Sequence, residues 1–383
     1  MTEPDSRTVC VFTGSRADYG PSIPVLRALR SNRDIDLRIL ASGGHLLPQQ
    51  GLTASEIESD GFHIDERVDA VLAGDTPTAT AKSFGLACIG YADAIRRLDP
   101  DILVVLGDRY EALAAAVVGL QHGTVVAHIG GGQLTYGSLD NQMRNAISKL
   151  AHLHFVTSSQ DADQLANMGE PIDRIFELGP ITFDSKLLSE LLDKDKLEAE
   201  LGLELESPTF VVTYHPATSD ESSSRSGVEN LLTALDRHPN ARVVITSPNL
   251  DSGGASIASL LRTYATERPD RVVFTESLGR LRYLSLMKHA DAVVGNSSSG
   301  ILEAPLVGTP TVNIGSRQEG RTRADSVIDC DESVESIAAG LARSLESRAT
   351  HDGLPSLADA DAAVSKLVGV LRDIDLTAAR HKR

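Results

Sequence analysis

The chain has 383 residues, of which 41% are hydrophobic and 23% charged, and a formal net charge of −17. Its length exceeds a single core and predicts two domains, and its acidity argues against nucleic acid or an anionic membrane as partner. No apolar run approaches the ~20 residues of a membrane span, the polar start MTEPDSRT lacks a signal-peptide pattern, and Cys10, Cys88 and Cys330 have no metal or redox spacing; a cytoplasmic protein is expected.

In chain order, TVCVFTG (8–14) reads as a buried strand entering a glycine turn with Arg16, then a helix near 20–31. IDLRILASGG is a second strand followed by His45, for which packing and substrate contact are both open. A helix over 75–99 ends at Asp99-Pro100, where proline forbids continuation. DILVVL then runs into Gly107-Asp108-Arg109 and an alanine-rich helix. TVVAHIGG and LHFVTSS complete a first half in which strand and helix alternate, the pattern of a parallel, doubly wound sheet. After a charged helix, LLSELLDKDKLEAELG, the second half repeats the theme with strands at 209–215, 241–247, 271–276, 291–296 and 311–315. Closing helices are expected at 332–347 and 358–374, with a frayed tail. The division expected is 1–175 for an N-terminal Rossmann-like domain, 176–360 for a C-terminal one, and 361–383 for a helix and tail that return toward the first. The fold class is α/β, two such domains facing a cleft.

Chemistry concentrates at strand ends, where α/β sheets bind ligands. The stretch 126–155 carries His128, three glycines (Gly130, Gly131, Gly132), Gln133 and Asp140, with Arg144 further along the helix. Glycines let backbone approach a ligand, and Asp at a helix start is most often a cap. In the second half, Ser298, Ser299 and Gly300 open a helix whose free N–H groups suit a diphosphate. Glu303 is placed in its first turn as an acceptor for ribose or sugar hydroxyls, with Arg317 and Arg321 as cationic partners. Arg16, Asp108, Gln133 and Asp140 are expected to meet His215 and these residues across the cleft. SPNLDSGG, with Asp251, reads as a plain turn or a loop closing over the site.

The ordered set TGSRADYG, GDRYEALA, HIGGGQLTYGSLDNQMRNAISKLAHLHF, TYHPAT, SPNLDSGG and GNSSSGILEAPLVGTPTVNIGSRQEGR resembles the hydrolysing UDP-N-acetylglucosamine 2-epimerases, the sialic-acid-pathway branch above all. The resemblance spans almost the whole chain. It implies a glycosyltransferase-B-like pair of domains, a sugar-nucleotide substrate, no metal, no redox cofactor and a homodimer. It also implies anomeric C–O cleavage with loss of UDP, an intermediate with a C1=C2 double bond, and addition of water with inversion at C2.

Of the three carboxylates credited with that chemistry, Asp108 and Asp140 match. The third does not, because Gln133 stands where the family has an acid; Asn141 and Asn145 are further departures. An amide cannot exchange protons at neutral pH, and acid–base help is worth roughly 10²–10⁴-fold. Three readings follow. The leading one is transfer of the glycosyl group to an acceptor other than water, such as a nitrogen heterocycle. The alternative keeps hydrolysing epimerisation, with Asp108, Asp140 or His215 covering for the lost acid. The third is a non-catalytic nucleotide-sugar binding protein. Arg109, His128, His45, Arg16 and Arg144 are expected to contact substrate or nucleotide.

Overall fold

The computed structural model describes residues 6–74, 76–135, 140–179, 181–216, 221–248, 253–346 and 357–382. Among these residues thirteen strands form two sheets, all parallel. The first contains β1 (Arg7–Thr13), β2 (Ile35–Ser42), β3 (Glu66–Val68), β4 (Ile102–Leu106), β5 (Val125–Ile129), β6 (Leu153–Val156) and β7 (Ile175–Glu177), in the order β3-β2-β1-β4-β5-β6-β7. The second contains β8 (Thr209–Thr213), β9 (Arg242–Thr246), β10 (Val272–Thr275), β11 (Ala292–Gly295), β12 (Thr311–Ile314) and β13 (Val327–Cys330), in the order β10-β9-β8-β11-β12-β13. Both centre on a point where strand order reverses, the hallmark of nucleotide-binding sheets.

Strands buried on both faces must be apolar at successive positions, and these are. Val9 and Val11 of β1 join one core layer, whereas Cys10 and Phe12 join the layer on the other face. The second sheet divides in the same way, with Phe210 and Val212 on one side and Val211 on the other. Helices cover each face. The one at Pro77–Leu98 shows why its ends fall there: Thr76 accepts from the Ala79 N–H, Pro77 suits the first helical position, and Asp99 turns left-handed ahead of Pro100.

Several elements depart from expectation. Strands β3, β7 and β13 are three or four residues long and lie at or near sheet edges. The first helix begins at Arg16 rather than near residue 20. The charged helix is two, Ser185–Ser189 and Lys194–Leu201, because Asp193 caps the second by accepting from the Lys196 N–H. The tail is anchored: a short helix at Leu376–Arg380 follows, and Lys382 Nζ donates to the carbonyls of Ser148, Lys149 and Ala151.

Leu357–Asp373 crosses back to the first sheet. Ala363, Val364, Leu367, Val368 and Leu371 belong to the same core layer as Val9 and Val11, and Arg7 donates to the Leu371 carbonyl at 2.8 Å. Leu367 is fully buried. Leu367→Ala should therefore cost about 2–5 kcal/mol, read as a lower urea midpoint followed by first-sheet probes; an unchanged midpoint would show that this helix contributes nothing to that core.

Candidate active site

Strands β1, β4, β8 and β11 flank the two reversal points, and the residues just after them line one cleft. The cavity holds about 360 Å³, within the range of small-ligand sites. Its walls include Arg16, Asp108, Arg109, Gln133, Asp140 and Arg144 on one side, with His215, Ser298, Ser299, Glu303, Arg317 and Arg321 on the other. Contacts join the two sides directly. Arg16 donates to the Glu276 carbonyl, Ser277 Oγ donates to Glu56 at 2.9 Å, and Arg317 lies 3.5 Å from the Asp140 carboxylate.

On the first side Arg144 organises the geometry. It lies on the helix Asp140–Leu150, and its side chain is essentially buried. One terminal nitrogen donates to the Gln133 carbonyl at 2.8 Å and to Thr135 Oγ1 at 2.9 Å; the other donates to Asp108 Oδ2. Burial, with repulsion from Arg321 and Arg317, lowers its pKa to about 9, which leaves it charged at neutral pH. A carboxylate accepting from such a group is fixed in place as an acceptor. Gln133 donates its own amide to Thr157 Oγ1 at 3.3 Å. Arg109 pairs with Glu111 at 3.2 Å, and burial raises the Glu111 pKa despite that partner.

The second side carries hydroxyls and cations. Ser297 caps the five-residue helix Ser298–Leu302. Tyr283, Ser299 and Ser297 hydroxyls lie in a chain with separations of 2.8 and 3.0 Å. The cleft end of β8 is locked to that of β11, because Asn296 accepts from the His215 N–H at 2.7 Å and donates to its carbonyl at 2.9 Å. Burial and then the charges of Arg317, Arg109 and Arg16 push the His215 pKa well below 6.5, so its imidazole is neutral. Burial and Arg317 lower Arg321 to about 10. The Nε atoms of Arg144, Arg317 and Arg321 are buried with no hydrogen-bond partner among the described residues. A protein of net charge −17 thus concentrates arginines in its cleft, an arrangement suited to a phosphorylated anion.

Three expected contacts fall elsewhere. His45 is fully buried outside the cleft lining, with Nε2 2.8 Å from Thr13 Oγ1 and Nδ1 2.8 Å from Thr53 Oγ1. His128 is likewise buried behind the wall, between Ser148 Oγ at 3.0 Å and the Gly107 carbonyl at 2.8 Å. Gly300 is a packing residue: an added Cβ would meet Thr311 Cγ2 at 2.7 Å, and its carbonyl accepts from Thr311. Glu303 lies at the C-terminal end of its short helix, not in the first turn, and accepts from Arg280 at 2.7 Å. Asp251 falls outside the described residues. Thr135 and Asn296 belong to the two turns read from the sequence, whereas Thr157, Tyr283 and Arg280 were not anticipated.

Among the described residues no group of three or more His, Cys, Asp or Glu could hold a metal ion, and no helix is long and apolar enough to cross a membrane. Two Rossmann-like domains of glycosyltransferase-B type, meeting over a cationic cleft with two carboxylates, define a sugar-nucleotide-processing enzyme. Residues 27–367 match the family described as UDP-N-acetylglucosamine 2-epimerase, and the chain belongs to that family. It is 37% identical to the GDP/UDP-N,N'-diacetylbacillosamine 2-epimerase (hydrolyzing) of Campylobacter jejuni, covering 85% of this chain and 84% of that protein. It is 33% identical to the UDP-N,N'-diacetylbacillosamine 2-epimerase (hydrolyzing) of Legionella pneumophila, covering 88% and 89%. The crystal structure of UDP-GlcNAc 2-epimerase from Neisseria meningitidis bound to UDP-GlcNAc shares the fold, with a TM-score of 0.78, 18% identity and coverage of 95% and 99%.

Burial lowers the pKa values of His45, His128 and His152 from 6.5 to about 4. Between those values the unfolded chain binds protons that the folded chain does not, so this stability is whole above about pH 6.5 and is lost as pH falls toward 4. Each histidine contributes on the order of 1.4 kcal/mol per pH unit within the window. The urea midpoint should fall from pH 7 to 4.5, and more shallowly in His45→Gln. Parallel slopes for the two proteins would remove His45 from the effect.

Proposed function

We propose that this protein is a hydrolysing 2-epimerase of a UDP-linked 2-acetamido sugar, converting it with water into UDP and the free sugar inverted at C2. UDP-N,N'-diacetylbacillosamine and UDP-N-acetylglucosamine are the first candidates. The carrying observation is that Asp108 and Asp140 share one cleft with the cationic Ser297–Arg321 side, in a chain whose 37% and 33% identical relatives are named as hydrolysing epimerases. Those relatives favour water over the non-water acceptor suggested by Gln133 alone. The number of ionisable groups converging on the cleft argues against a pure binding protein.

In this reading the serine turn, Arg317 and Arg321 hold the diphosphate, and Glu303, steadied by Arg280, accepts from a ribose hydroxyl. Asp108, held as an acceptor by Arg144, removes the C2 proton. The C–H electrons form the C1=C2 bond as the C1–O bond breaks, and that bond's electrons leave with UDP. Water then adds across that bond: its oxygen attacks C1 and its proton passes through Asp140 to the opposite face of C2, while the proton on Asp108 passes to solvent. Gln133 transfers no proton; its carbonyl and amide bind Arg144 and Thr157.

Purified protein in heavy water with either UDP-sugar should release UDP and place deuterium at C2 of the free sugar, followed by NMR. Asp108→Asn and Asp140→Asn should each slow this by roughly 10²–10⁴-fold. UDP release that requires an added acceptor, or a product retaining its C2 proton, would overturn the epimerase in favour of glycosyl transfer.

A further inference from the structure

Asp108 depends on more than its guanidinium partner. The residue before it, Gly107, has a left-handed backbone, φ 88°, which swings the chain off the end of β4. Two consecutive residues at the end of β5 hold the peptides of that turn. The Gly107 N–H donates to the Ile129 carbonyl at 3.0 Å, and the Gly107 carbonyl faces His128 Nε2 at 2.8 Å. That carbonyl belongs to the peptide joining Gly107 to Asp108, so its direction helps set where the Asp108 side chain starts.

A carbonyl can only accept, so Nε2 must carry the ring proton. Nδ1 must then accept, and its neighbour at 3.0 Å is the Ser148 hydroxyl, a donor. The ring is neutral at physiological pH because burial lowers its pKa to about 4. Ser148 lies one helical turn after Arg144, on the helix that fixes the Asp108 carboxylate. The same helix therefore grips Asp108 twice, at its carboxylate through Arg144 and at its backbone through Ser148 and His128. Gly131 leaves room for this pair, since a Cβ there would stand 2.8 Å from Ser148 Oγ and 3.1 Å from His128 Nδ1.

We propose that His128, oriented by Ser148, is a positioning residue that fixes the Gly107–Asp108 peptide and so aims the Asp108 carboxylate at the sugar C2 proton. This rests on the reading of Asp108 as the base. His128 lies outside the cleft lining, so its loss should act on kcat and not on substrate affinity.

The test is a set of variants assayed for UDP release and C2 deuteration, beside the ¹⁵N imidazole spectrum of the parent protein. The spectrum should show His128 as the Nε2–H tautomer, with Nδ1 unprotonated; an Nδ1–H tautomer overturns the proposal whatever the substrate. His128→Leu should lower kcat by roughly 10- to 100-fold with KM nearly unchanged, the scale of a small misplacement of a reacting group. His128→Gln, whose amide can still donate to the Gly107 carbonyl, should recover most of that loss. Gly131→Ala, which alters no polar group, should lower kcat by crowding the pair. Equal kcat values in His128→Leu and the parent, or equal losses in His128→Leu and His128→Gln, overturn the proposal. Asp108→Asn separates the two levels. If it turns over at the parental rate, the reading of Asp108 fails; if it is slowed while His128→Leu keeps the parental kcat, only the positioning role fails.

Discussion

The site depends on a buried guanidinium. Arg144 reaches from a helix into the end of the first sheet and there joins a carbonyl, a hydroxyl and a carboxylate contributed by two different strand ends. Burying a charge is tolerated only when its hydrogen-bonding capacity is largely met, so the neighbours are constrained as tightly as the arginine. Gln133 contributes through its backbone carbonyl, a role that does not depend on whether its side chain is an acid or an amide.

The other constraint is topological. Each sheet reverses its strand order once, and the gap beside the reversal is where loops from neighbouring strands can diverge and leave space. Apposing two such sheets brings two gaps together, which is why residues separated by most of the chain, such as Arg16 and Glu276, touch. The carboxylates Asp108 and Asp140 come from the first sheet, whereas Arg317 and Arg321 come from the second. The Asp140–Arg317 contact links the domains through groups assigned to the reaction.

Much of this was legible in the sequence, and the exceptions share a cause. Long apolar strands such as β1 and β4 carry their own signal, and the residues following them could be assigned to the ligand edge by rule. Strands β3, β7 and β13 could not be read, because ERV, IFE and VIDC are short edge segments with no continuous buried apolar run, and they become strands only through a neighbour that already exists. His45 and His128 follow or precede glycine turns like true ligand contacts. What turns them inward is a pair of threonines and a serine remote in sequence. The Arg144–Asp108 pair spans 36 positions with a helix and a strand between them, so each residue could be nominated alone but their union could not. Glu303 was misplaced because Pro305 and the short turn after it end its helix within five residues.

The core of the first lobe is assembled from segments on both sides of the second lobe in sequence, and this orders events during synthesis. All the described strands of the first lobe have emerged by residue 177, yet one layer of its core still lacks Ala363, Val364, Leu367, Val368 and Leu371. The second lobe, complete in strands by Cys330, has every strand it needs before those residues are made. On the ribosome the second lobe can therefore close before the first, which waits with an apolar flank uncovered. The helix Leu357–Asp373 acts as a latch, and a nascent chain stalled short of it would be exposed to chaperones and aggregation at that flank.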